Sequence, residues 1–169
     1  MNRAVVLLNI LSAGLIHFIV APEHFGHSPA HGIFFVIAGI AEIAWGVAFW
    51  RKPNRILYTF GLFMTGGLVT LWAVTRVLPA PFAGSPGDIE FWGLYSKIAE
   101  LMVIAALIAM SHAGEIDGLD PKPNLWRLLF SAIFLAALSG TLLFRAAEPW
   151  LPSLAGQSLS DADTADHEH

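Results

Sequence analysis

The chain contains no cysteine, which excludes disulfides, thiolate-held iron–sulfur clusters and cysteine-based copper(I) or zinc sites. Charge is scarce as well: 13% of the 169 residues are charged and 56% are hydrophobic. A soluble domain carries about a quarter charged residues, so the composition points away from one. The few basic residues form no patch of the kind that nucleic acid requires. The four methionines make no stripe, which argues against a thioether-lined copper(I) path. A Ser/His/Asp nucleophile arrangement, a phosphate-cradling glycine loop and a dinucleotide fingerprint are all missing, so enzymatic activity is not the expectation.

What the chain has instead is long apolar runs. Ala4–Ala21, Gly32–Trp50, Ile56–Leu78, Phe91–Met110 and Leu125–Phe144 are each about as long as a helix that crosses a bilayer. Lipid offers no partners to backbone amides, so such segments are helical. The expected fold is an all-α integral membrane bundle of five transmembrane helices, with residues 1–150 as one membrane domain. Residues 151–169 read as a polar, acidic and histidine-bearing tail that is predicted to be disordered. Arg3 before an apolar run has the plan of a signal peptide. The run is longer than usual for one and Pro22 follows Ala21, so a retained helix is expected.

Lys and Arg near helix ends are held on the cytoplasmic side. Arg3, Arg51, Lys52, Arg55, Lys122 and Arg127 fall on one side of an alternating bundle, and Arg76, Lys97 and Arg145 toward the other. The N-terminus is therefore expected in the cytoplasm and the C-terminus outside. On that topology Pro22–His31 and Pro79–Glu90 are outer loops, Arg51–Arg55 is a tight inner turn, and Ser111–Asn124 is a solvated inner connector.

An ionisable group at the centre of a bilayer costs about 2.5–3.5 kcal/mol, so each one needs a partner, a cavity or a function. At 1.5 Å per residue, Glu42 lies about 16 Å and Glu100 about 14 Å below the outer ends of their helices, close to one depth. Small residues, Ala38, Gly39 and Gly46, share the face of Glu42, where a neighbouring helix can approach. Gly93, Ser96 and Lys97 continue the face of Glu100 as a polar stripe. His17, with Ala13 and Gly14, is expected about one turn below the outer boundary. Arg76 and Arg145 close helices 3 and 5 at the outer level. The expected picture is an outward-opening polar funnel with Glu42 and Glu100 at its base and Lys97 and Arg76 tuning them. The plainer alternative is that Lys97 and Glu100 neutralise each other while the arginines snorkel to headgroups.

In Pro22-Glu-His-Phe-Gly-His-Ser-Pro-Ala-His31 the histidines are spaced by three and four, beside a carboxylate and above His17. His17, His24, His27 and His31 are thus candidate ligands for zinc or copper(II), which favour such nitrogen and oxygen donors. The acidic, histidine-bearing end Asp161–His169 repeats that donor set. Alternatively, His17 and His31 could ligate one b-type haem, although His112 has no histidine partner at its depth for a second.

The segments Ile16-His-Phe, Pro22-Glu-His-Phe25, Gly32-Ile-Phe-Phe, Gly39-Ile-Ala-Glu and Leu71-Trp-Ala-Val-Thr-Arg76 resemble a group of small bacterial multi-pass membrane proteins, over about the first four helices. Gly39-Ile-Ala-Glu is also similar to helix 2 of DoxX-like four-helix proteins. The resemblance implies a bacterial inner membrane and assigns no chemistry. The expected function is an outward-facing His/Glu site for a transition-metal ion or small polar ligand, in uptake or homeostasis. The alternatives are a small accessory subunit of a membrane redox complex touching haem or quinone, for which Phe82, Phe91, Trp92 and Tyr95 supply an aromatic outer end, and a structural or assembly protein. Expected partners are the lipid bilayer and, for the subunit alternative, other membrane subunits, with no nucleic acid.

Overall fold

The computed structural model describes residues 2–78 and 89–119. Their backbone forms four helices: α1 Asn2–His27, α2 Pro29–Arg51, α3 Arg55–Val74 and α4 Phe91–His112. All four are long and apolar enough to cross a membrane. The expected fifth helix, 125–144, the tail 151–169 and most of the Pro79–Glu90 connection lie outside the described residues.

The expected outer loop Pro22–His31 does not form. α1 runs through Pro22 and Gly26 to His27, and α2 starts at Pro29 after a single extended residue, Ser28. Proline ends a helix when its missing N–H and its ring cannot be accommodated, yet Pro22 is exposed near the end of α1, and Pro29 sits in a first turn, where no N–H is needed. Hydrogen bonds carry across the joint, from the Ser28 amide to the His24 carbonyl (3.0 Å) and from the Gly32 amide to the Ser28 carbonyl (3.2 Å). Gly32 is required here because a Cβ at that position would fall 2.2 Å from the Phe25 ring.

The other connections follow from their caps. Asn54 precedes α3 with extended backbone, and its Oδ1 accepts from the Leu57 amide at 3.0 Å. After α4 the chain turns at Gly114 and Gly118, both at positive φ (70° and 71°), which costs glycine little. These turns return Ile116 to the core and make Ser111–Leu119 more than the solvated connector expected. The Arg55 amide donates to the Asp117 carbonyl (3.0 Å), the Asp117 amide to the Pro53 carbonyl (3.3 Å), and Asn2 Nδ2 to Glu115 Oε1 (3.0 Å). The start of α1, the α2–α3 turn and the segment after α4 therefore meet at one end, and successive helices run antiparallel.

α1 packs against α2 and α4, and α3 against α4 and α2. Val6, Ile10, Phe49, Tyr58, Leu62, Leu107, Met110 and Ile116 fill the end that carries Asn2 and Asn54. Higher in the bundle the buried set turns polar, with His17, Glu42, Thr65, Ser96, Lys97 and Glu100. The outside is apolar: Leu8, Leu15, Ile37, Ile56, Phe60, Phe91 and Ile98 are all exposed, Ile56 to 79%. Polar groups inside and large apolar groups outside suit a lipid environment. Because lipid is as apolar as the helices, close packing has to hold them together. At the α1–α2 crossing, Gly14 and Gly39 provide it: a Cβ on Gly39 would sit 2.8 Å from the Gly14 carbonyl oxygen. On α2, Trp45 lies over Gly61 of α3, stacks on Phe49 (5.3 Å, 25°) and donates through Nε1 to the Leu57 carbonyl at 2.8 Å.

Candidate metal centre

The contact between Gly14 and Gly39 brings α1 and α2 close enough for polar groups one turn away, on opposite sides of it because the helices run antiparallel, to reach each other. Three residues on from these glycines are His17 and Glu42, and the close approach brings His17 Nδ1 to 2.8 Å from Glu42 Oε2. Both side chains are buried, His17 at 4% exposure and Glu42 at 0%. One proton joins the two atoms, donated by the imidazole or by the carboxyl according to the tautomer.

α4 supplies the third wall. Ser96, Lys97 and Glu100 share one face of it, and all three are buried. Glu100 Oε1 accepts from Ser96 Oγ (3.0 Å) and is ion-paired to the Lys97 ammonium. His17, Glu42 and Glu100 each offer one ligand atom, and these atoms lie within 4.8 Å of one another. Glu42 Oε1 and Glu100 Oε2 are buried and have no hydrogen-bond partner among the described residues. A buried carboxylate oxygen without a partner is costly, so these two open positions mark where a cation or a donor group belongs.

The remaining candidates sit between this cluster and the end of the bundle formed by the α1–α2 joint. His24, in the last turns of α1, bonds through Nδ1 to the Val20 carbonyl (2.9 Å). Its ring lies 3.9 Å from that of Phe35 and 6.1 Å from that of His31, in the first turn of α2. Phe35 in turn lies 5.4 Å from the His17 ring. Rings of His31, His24, Phe35 and His17 thus form a continuous row leading inward. His27 belongs to the final turn of α1. Arg76 is in the turn after α3, its guanidinium 5.2 Å over the Trp72 ring.

Sequence reasoning set Glu42 and Glu100 at one depth and placed His17 separately, near the surface. The structure joins His17 to both carboxylates. Extending α1 from Ala21 to His27 adds six residues, about 9 Å of helix, and sinks His17 by that much. A signal for this was present, because His17 and His24 are seven residues apart, a spacing that keeps one face if α1 continues through Pro22. No protein-family model, curated protein or solved structure matches this chain.

Proposed function

We propose that this chain is a multi-pass protein of a bacterial inner membrane that binds a transition-metal ion, zinc or copper(II), inside its helix bundle, for uptake or homeostasis of that metal. The observation that carries this is the convergence of His17, Glu42 and Glu100 from three helices, with one ligand atom from each inside 4.8 Å. Zinc bound tetrahedrally at 2.0–2.2 Å keeps its ligand atoms about 3.4 Å apart, so closing the cluster by at most about 1.4 Å, through side-chain rotation, would complete a three-ligand site. A nitrogen and two carboxylate oxygens suit a borderline divalent ion. Two carboxylates are also the charge such an ion needs for neutrality in a poorly solvating interior.

Arg3, Arg51, Lys52 and Arg55 lie at the end occupied by Asn2 and the α2–α3 turn, and we assign that end to the cytoplasm. The α1–α2 joint then faces outward, and His24 and His31 are the first ligands an arriving ion meets. The test is elemental analysis and zinc titration of the full-length protein purified in detergent. The wild type should hold one zinc, with binding lost in His17→Ala and Glu42→Gln. Variants that bind like the wild type would refute the assignment.

A further inference from the structure

The ligand cluster already contains a positive charge. Lys97 is 5% exposed, and its ammonium lies on Oε1 of Glu100, one of the three candidate metal ligands. Ser96 holds the same oxygen, while Oε2 of Glu100 and Oε1 of Glu42 have no hydrogen-bond partner among the described residues. Lys97 therefore neutralises one of the two carboxylates and leaves the other to His17.

We infer that Lys97 is a tethered cation that competes with the metal ion for Glu100, so that the site exchanges a divalent ion rather than trapping it. The inference rests on His17, Glu42 and Glu100 being the metal ligands. A divalent ion balances Glu42 and Glu100 by itself, and the ammonium beside it then becomes surplus positive charge in a medium that screens poorly. An ion entering at the open Oε2 consequently drives the ammonium to swing off Oε1 of the same carboxylate. Its compact charge on a flexible four-carbon stem can do so. Because Lys97 and Glu100 are three residues apart on α4, the ammonium stays within reach and returns when the ion departs. Lys97 thus sets the affinity of the site without being one of its ligands.

The experiment compares zinc titrations of full-length wild type, Lys97→Met and Lys97→Arg in detergent. Lys97→Met, which lacks the competing charge, should bind zinc at least about tenfold more tightly than wild type, and Lys97→Arg, which retains it, should not. An unchanged or weaker affinity in Lys97→Met overturns the inference. Should that variant fail to fold, wild-type protein labelled with ¹⁵N-lysine decides: saturating zinc should shift the Lys97 side-chain signal, and an unmoved signal overturns the inference. Zinc binding that is lost in Glu42→Gln and His17→Ala but no tighter in Lys97→Met removes only the role of Lys97. Failure of the wild type and Lys97→Met alike to bind zinc removes both this inference and the proposed function.

Discussion

Replacing Gly39 by alanine should part His17 from Glu42 without touching either. The new Cβ would lie 2.8 Å from the Gly14 carbonyl oxygen and 3.2 Å from the Phe18 ring, and the first of these neighbours is backbone, which cannot rotate away. Restoring ordinary contact means parting α1 and α2 by about 0.6 Å at the crossing. Glu42 and His17 are one turn from that point on the same two helices, so their 2.8 Å contact lengthens toward about 3.4 Å, where a hydrogen bond is weak. A hydrogen bond with a charged partner is worth about 1.5–3 kcal/mol, which is the stability the metal-free fold loses. Thermal unfolding of the metal-free full chain in detergent checks this, with Gly67→Ala as control because a Cβ there meets nothing within 4 Å. Gly39→Ala should lower the melting temperature by several degrees, as a loss of about 1.5–3 kcal/mol implies, while Gly67→Ala leaves it unchanged. If the two variants behave alike, helix approach at Gly39 does not set the geometry of the cluster.

Two further outcomes are expected. Phe35 stands between the His17 and His24 rings, so Phe35→Ala should speed zinc binding and release several-fold in stopped-flow measurements while leaving the equilibrium affinity within about twofold. Asn54→Ala removes the acceptor for the Leu57 amide at the start of α3, and should cost about 1 kcal/mol in thermal unfolding with zinc affinity unchanged.

Much of this arrangement was legible in the residues themselves. Apolar runs located the four described helices, and the rise per residue put Glu42 and Glu100 at similar depth. The small residues beside Glu42 marked a face for helix contact, and Gly39 makes that contact. Two things were not legible. Pro22 reads locally as a stop, yet the helix absorbs the lost hydrogen bond and the ring's crowding of the carbonyl four residues earlier, and runs on to His27 with Pro22 exposed. Likewise, Gly14 and Gly39 each advertise a close approach, but their mutual pairing is a property of the assembled bundle. The partnership of His17 with Glu42 depends on both, which is why it emerged only with the helices in place.

The single-residue joint at Ser28 bears on how such a bundle is built. α2 alone would carry the Glu42 carboxylate into lipid uncompensated. Because α1 is joined to it by one residue, the two helices form a hairpin in which His17 stands beside Glu42. Lys97 and Glu100 need no outside help, since both reside on α4. Each ionisable group of the cluster therefore meets its first partner within its own helix or hairpin. The cluster proposed to bind metal is thus complete only when α4 packs against that hairpin, from pieces in which each charge already has a neighbour.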